Sequence, residues 1–143
     1  MLLTVKGGNK KQRLIATELV HYVKSVYMPK ITTLDITLRI RKFKPEEGAV
    51  GWCTYEDNNV NPREFVIDVS LDQSFADFIK TVIHEMIHVK QYALGQMKER
   101  YKSGHKILWK DKDYTTTSYS KCPWEREAYR KQETLYEKYM QQQ

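Results

Sequence analysis

At 143 residues, with 41% hydrophobic and 29% charged residues and only six Gly and four Pro, the chain has the composition of one globular domain with a single core. That excludes low-complexity and collagen-like chains, and no apolar run approaches the ~20 residues a membrane-spanning helix needs. The net charge of +6 fits a mildly basic surface and leaves an acidic partner, nucleic acid included, open.

The first residues, Met1-Leu2-Leu3-Thr4-Val5-Lys6, lack the basic segment and sustained apolar stretch of a secretory signal. The expectation is a cytoplasmic protein. Residues 1–9 read as a short extended lead ending in Gly7-Gly8-Asn9, with Asn9 as N-cap. From Lys10 to about Tyr27, Leu14, Ile15, Leu19, Tyr22, Val23 and Val26 recur at helical spacing, and Pro29 stops the helix. His21 lies beside this stripe with no second ligand type near it.

Leu34, Ile36, Leu38 and Ile40 alternate with Asp35, Thr37, Arg39 and Arg41, which predicts a half-buried strand. Lys44–Gly48 is a turn, Ala49–Tyr55 a second strand and Glu56–Pro62 a polar loop. A third strand carries Phe65, Ile67 and Val69 on one face. The expectation is a three-stranded antiparallel sheet, with the third strand lying along a cleft and offering its free edge to an extended peptide.

Asp72 or Ser74 caps a helix expected from about Gln73 to Leu94, ending near Gly95. Residues 96–121 show no clear period and are too long for a plain connector, so they are expected to cover or flank the site. Pro123 opens the last helix at its first turn, and Leu135, Tyr136, Tyr139 and Met140 continue its apolar face. Gln141 to Gln143 are expected to fray. Cys53 and Cys122 form no C-x-x-C, so a cysteine metal site is not expected and a reducing compartment is the simpler reading.

The stretch with chemistry in it is Ile83-His84-Glu85-Met86-Ile87-His88, an H-E-x-x-H inside an apolar helix. Residues four apart share a helix face, so His84 and His88 can offer two imidazoles to one metal ion. Glu85 sits about 100° round the helix from His84, where it can reach a water on that ion without being a ligand. Two His ligands, an open position and a carboxylate base are the parts of a zinc hydrolase. Two of only four His fall in this pattern, and buried His and Glu need partners.

A catalytic zinc usually takes a third protein ligand. Glu125, in the first turn of the last helix, is favoured, and small Ala128 one turn on lets that helix pack close. Glu127 faces another way, so one of the two is expected to bind. His105, in Ser103-Gly104-His105-Lys106, is the rival. An oxyanion donor is also needed, and Tyr114, Tyr119 and Tyr129 are candidates.

His84-Glu85-Met86-Ile87-His88-Val89-Lys90-Gln91-Tyr92, then Trp109-Lys110-Asp111-Lys112, then Pro123-Trp124-Glu125-Arg126-Glu127-Ala128-Tyr129, resembles the small SprT-like or minimal-gluzincin zinc metallopeptidases of bacteriophage and prophage genomes. The resemblance covers roughly Phe65 to Tyr129. It implies an α+β zincin-like fold, one zinc and peptide-bond hydrolysis. In gluzincins the third ligand is a glutamate in an E-x-x-x-D or E-x-x-A pattern. Glu125 with Ala128 matches the second, and Tyr129 stands where the aspartate of the first would be. In the SprT and Spartan branch the ligand is a histidine after glycine, which Gly104-His105 matches, and Spartan-type enzymes cleave proteins crosslinked to DNA.

The expectation from sequence is therefore one α+β domain over residues 1–143: an N-terminal helix, a three-stranded antiparallel sheet, the H-E-x-x-H helix and a C-terminal helix. It is expected to be a monomeric metallopeptidase with zinc on His84, His88 and Glu125, and Glu85 as general base. Its partner would be a protein or peptide, with no membrane. A zinc-stabilised binding module and a DNA-associated protease are the alternatives.

Overall fold

A computed structural model gives the structure of the chain and describes residues 1–102 and 104–143. The fold is a small α+β domain. Its main sheet is built from β1 (Leu2–Gly7), β2 (Asp35–Arg41), β3 (Gly51–Tyr55) and β4 (Glu64–Ser70), in the order β1-β2-β4-β3. The helices are α1 (Lys10–Tyr27), α2 (Phe75–Ala93) and α3 (Pro123–Gln141).

The three-stranded antiparallel sheet expected from the sequence is in fact a four-stranded mixed one. β1 pairs with β2 in parallel, β2 pairs with β4 in parallel, and only β3 runs antiparallel, against β4. The extended lead is thus an edge strand. Its inward residues Leu3 and Val5 are only partly buried, too short an alternation to read. Parallel strands need a crossover, and α1 supplies it between β1 and β2. Alternation reports which face of a strand is buried and says nothing about its direction.

Gly7 closes β1 at φ +84°, and a Cβ there would lie 2.0 Å from the Ile40 carbonyl oxygen, so only glycine fits. Asn9 then caps α1. Its side chain accepts from the Gln12 N–H at 2.8 Å, and Gln12 Oε1 accepts from the Asn9 N–H at 3.0 Å.

Ile36, Leu38, Ile40, Phe65, Ile67 and Val69 point from β2 and β4 into the core. Arg39 and Asp68 lie on the opposite face, where the Arg39 Nη2 donates to Asp68 Oδ2 at 2.8 Å. α2 starts at Ser74, whose hydroxyl oxygen accepts from the Asp77 N–H, and packs against α1, α3, β3 and β4. It is therefore enclosed on several sides, and His88, Lys90 and Gln91 are buried with its apolar residues. No helix among the described residues is long and apolar enough to cross a membrane.

Residues 96–121 are not featureless. They hold a second sheet of three short antiparallel strands, β5 (Met97–Arg100), β6 (Lys106–Trp109) and β7 (Lys112–Asp113). Lys110 and Asp111 turn β6 into β7 with φ of +50° and +69°. Two left-handed residues make a tight hairpin turn, but neither residue is the glycine that usually marks one.

Candidate metal centre

α2 presents His84 and His88 on one face, as the helical spacing requires, and α3 packs against that face. The first turn of α3 brings Glu125 to both rings. Glu125 Oε1 lies 3.0 Å from His84 Nε2, and Oε2 lies 3.3 Å from His88 Nε2. The two rings stand edge to face, 4.8 Å between centroids. Two imidazole nitrogens and a carboxylate thus converge on one point.

Both δ nitrogens are occupied elsewhere. Gln132 Oε1 lies 2.8 Å from His84 Nδ1, and Gln91 Oε1 lies 2.7 Å from His88 Nδ1. An amide oxygen only accepts, so a proton on each Nδ1 satisfies these contacts, and each Nε2 is turned toward Glu125. This is the usual way a protein orients a metal-binding histidine.

Glu85 lies beside them. Its carboxylate, His84 and His88 each offer an atom within 4.8 Å of the others. The residue is 5% exposed, and Oε2 has no hydrogen-bond partner among the described residues. Burial pushes its pKa up from the ordinary carboxylate range, against the pull of the two imidazoles. Burial also acts on His88, lowering its pKa. The Glu125 hydrogen bond and the Glu85 and Glu125 charges outweigh this and hold it at about 9. Glu125 is likewise penalised by burial, yet its hydrogen bonds to both imidazoles keep it well below the carboxylate range. An N,N,O donor set with both donor rings fixed could hold a metal ion, next to a buried carboxylate oxygen that has no partner among the described residues.

The other ligand candidates are engaged elsewhere. Glu127 Oε1 accepts from Lys90 Nζ at 2.8 Å and from Gln91 Nε2 at 3.1 Å. It balances a lysine that is 4% exposed and whose pKa burial lowers. His105 is exposed. Its Nε2 lies 2.9 Å from Glu99 Oε2 and its ring stacks on Tyr101. Ser103, in the same segment, lies outside the described residues. Among the tyrosines, Tyr114 packs edge-on against Trp124, the Tyr119 hydroxyl donates to Glu125 Oε1 at 3.0 Å, and the Tyr129 ring lies against His84.

A cleft of about 980 Å³ runs past these groups, walled by β3, α2 and the second sheet. The strand along it is β3, not β4, the Phe65–Val69 strand expected there from the sequence. β4 is paired on both sides, and β3 is the edge strand on the cleft side, opposite the β1 edge. β3 also makes room for the base. A Cβ built on Gly51 would stand 3.1 Å from Glu85 Cγ, 3.2 Å from its Cδ and 2.8 Å from Thr81 Cγ2. Gly51→Ala should therefore push the Glu85 carboxylate aside. On the zinc-hydrolase expectation from the sequence, the result would be unchanged zinc content and hydrolysis lower by about 10²-fold, the usual effect of ~1 Å misplacement of a reacting group. Steady-state kinetics beside elemental analysis would check it, and full activity would show that Glu85 has slack.

Sequence reasoning missed Gln91, Gln132, Lys90 and Gly51. Gln91 had a usable signal, since it follows His88 by three residues and so shares its helix face. Comparison with family models, curated proteins and solved structures finds no match.

Proposed function

We propose that the chain is a zinc metallopeptidase, with His84, His88 and Glu125 as ligands and Glu85 as general base. The observation that carries this is the convergence of both Nε2 atoms on Glu125, next to the buried, unpartnered oxygen of Glu85. Zinc supplies Lewis acidity that polarises a peptide carbonyl and makes a water easier to deprotonate.

The chain's own residues do the rest. Glu85 takes the proton of the attacking water on its carboxylate and passes it to the nitrogen of the leaving amine as the C–N bond breaks. Its buried oxygen, without a partner among the described residues, suits a group that must hold that proton between the two transfers. The free edge of β3 can align an extended peptide by main-chain hydrogen bonds. The Tyr119 hydroxyl, now on Glu125, is a donor available to the developing oxyanion.

The resemblance to SprT-like and gluzincin peptidases supports the same chemistry. Within it, the position of Glu125 favours the glutamate arrangement over the Gly-His one. The reading makes the protein a cytoplasmic monomer, in the bacterial host if phage-encoded, that acts on protein or peptide.

Metal removal tests it. Elemental analysis should find one zinc per chain. Cleavage of an unfolded protein such as casein should stop on chelation and return with zinc. Protein without zinc would leave no metal centre to explain. Zinc without any cleavage would favour the binding module instead. Cleavage only of protein crosslinked to DNA would favour the Spartan-like alternative.

A further inference from the structure

We infer that Gln91 is a positioning residue for the metal centre, fixing the ring of His88 and tying it to the turn of α3 that carries Glu125. The inference rests on the metal-centre reading above. Gln91 is 0% exposed, so no water competes for its amide.

Its Nε2 donates to the Trp124 carbonyl at 2.9 Å and to Glu127 Oε1 at 3.1 Å. Both partners only accept, so the NH2 end of the amide cannot face any other way. Oε1 must then point at His88 Nδ1, 2.7 Å away. That oxygen cannot donate, so a proton sits on Nδ1 and Nε2 is the nitrogen turned toward Glu125, where a metal would replace its proton. The orientation of the amide is thus dictated by α3 and transmitted to a ligand on α2.

The same contacts set the spacing of the ligands. Trp124 and Glu127, which receive the two N–H bonds, flank Glu125 in sequence. Lys90 Nζ donates to the same Glu127 oxygen at 2.8 Å. The first turn of α3 can therefore approach His88 only in the register that also delivers Glu125. Gln132 does part of this for His84, but its own Nε2 reaches only Glu133 Oε1, at 3.5 Å. It has no comparable anchor.

The test uses full-length protein with 15N-labelled histidine, loaded with zinc or cadmium-113. In wild type, long-range 1H–15N spectra should show both histidines bound through Nε2, with the His88 Nδ1 proton present. Gln91→Met keeps the length of the side chain and removes the acceptor. Loss of an outer hydrogen-bond partner typically weakens metal binding 10–100-fold. Zinc affinity, measured against a competing chelator, should fall within that range. The His88 Nδ1 proton should exchange faster, while the His84 signals stay in place, a contrast that general loosening would not produce. Unchanged zinc affinity with an unchanged His88 signal would overturn the inference. So would wild-type His88 bound through Nδ1, a result that stands even if the variant fails to fold. Wild-type protein that takes up no zinc would overturn both this inference and the metal-centre reading.

Discussion

On the metallopeptidase reading proposed above, Glu85→Gln should retain zinc and lose peptide hydrolysis by about 10²- to 10⁴-fold, the usual contribution of a positioned general base. The two side chains have the same shape, so the fit against Gly51 is preserved. The amide cannot take a proton from water at neutral pH, and the step that needs one is lost. Zinc stays because Glu125, not Glu85, bridges the two Nε2 atoms. The stability of the variant carries separate information. A buried carboxylate with one unpaired oxygen costs folding free energy, and a neutral amide costs less. The melting temperature of Glu85→Gln should therefore not fall. Zinc content, kinetics and thermal unfolding on one preparation would check all three points. Loss of zinc would make Glu85 a ligand, and undiminished turnover would remove it from the mechanism.

How much of this was legible in the sequence depends on the range of the interaction. The H-E-x-x-H pair needed only the helical repeat, because His84 and His88 meet within one helix. α1, α2 and α3 were readable for the same reason, as was β2, whose alternation is strict. Neighbours across the sheet were not. Nothing in Leu2–Gly7 reports that it pairs with β2, and nothing in β2 reports that its partner β4 runs in parallel. The strands of the second sheet are four, four and two residues long, below the length at which a period shows. The choice between Glu125 and Glu127 turned on the same limit. Both sit early in α3, and the sequence pattern alone ranks them. What separates them in space is Lys90. It is buried on α2 beyond His88 and draws Glu127 into an ion pair. Lys90 belongs to a run that reads from sequence as the end of an apolar helix, where a lysine would ordinarily reach solvent.

That separation sets up the second large effect, on zinc binding itself. Glu125→Ala should cost more zinc affinity than the 10–100-fold that loss of an outer partner costs, because it removes a donor outright. It also leaves two buried imidazoles without the carboxylate that holds the His88 pKa near 9, so the zinc-free protein loses a stabilising contact as well. Glu127→Ala should behave in the opposite sense. It strands the Lys90 ammonium at 5% side-chain exposure, and removing one partner of a buried pair costs about 3 kcal/mol or more of stability. Its zinc loss should be smaller than that of Glu125→Ala and should arise through Gln91, which also gives up a partner. His105→Ala should change neither quantity much, since His105 is exposed and paired with Glu99. The three variants therefore predict three distinct patterns of zinc content against melting temperature. Zinc lost with His105 and kept with Glu125 would exchange the two-histidine, one-carboxylate site for a three-histidine one. That result would require β5 and β6 to swing toward α2, and it would make DNA-crosslinked proteins the first substrates to try.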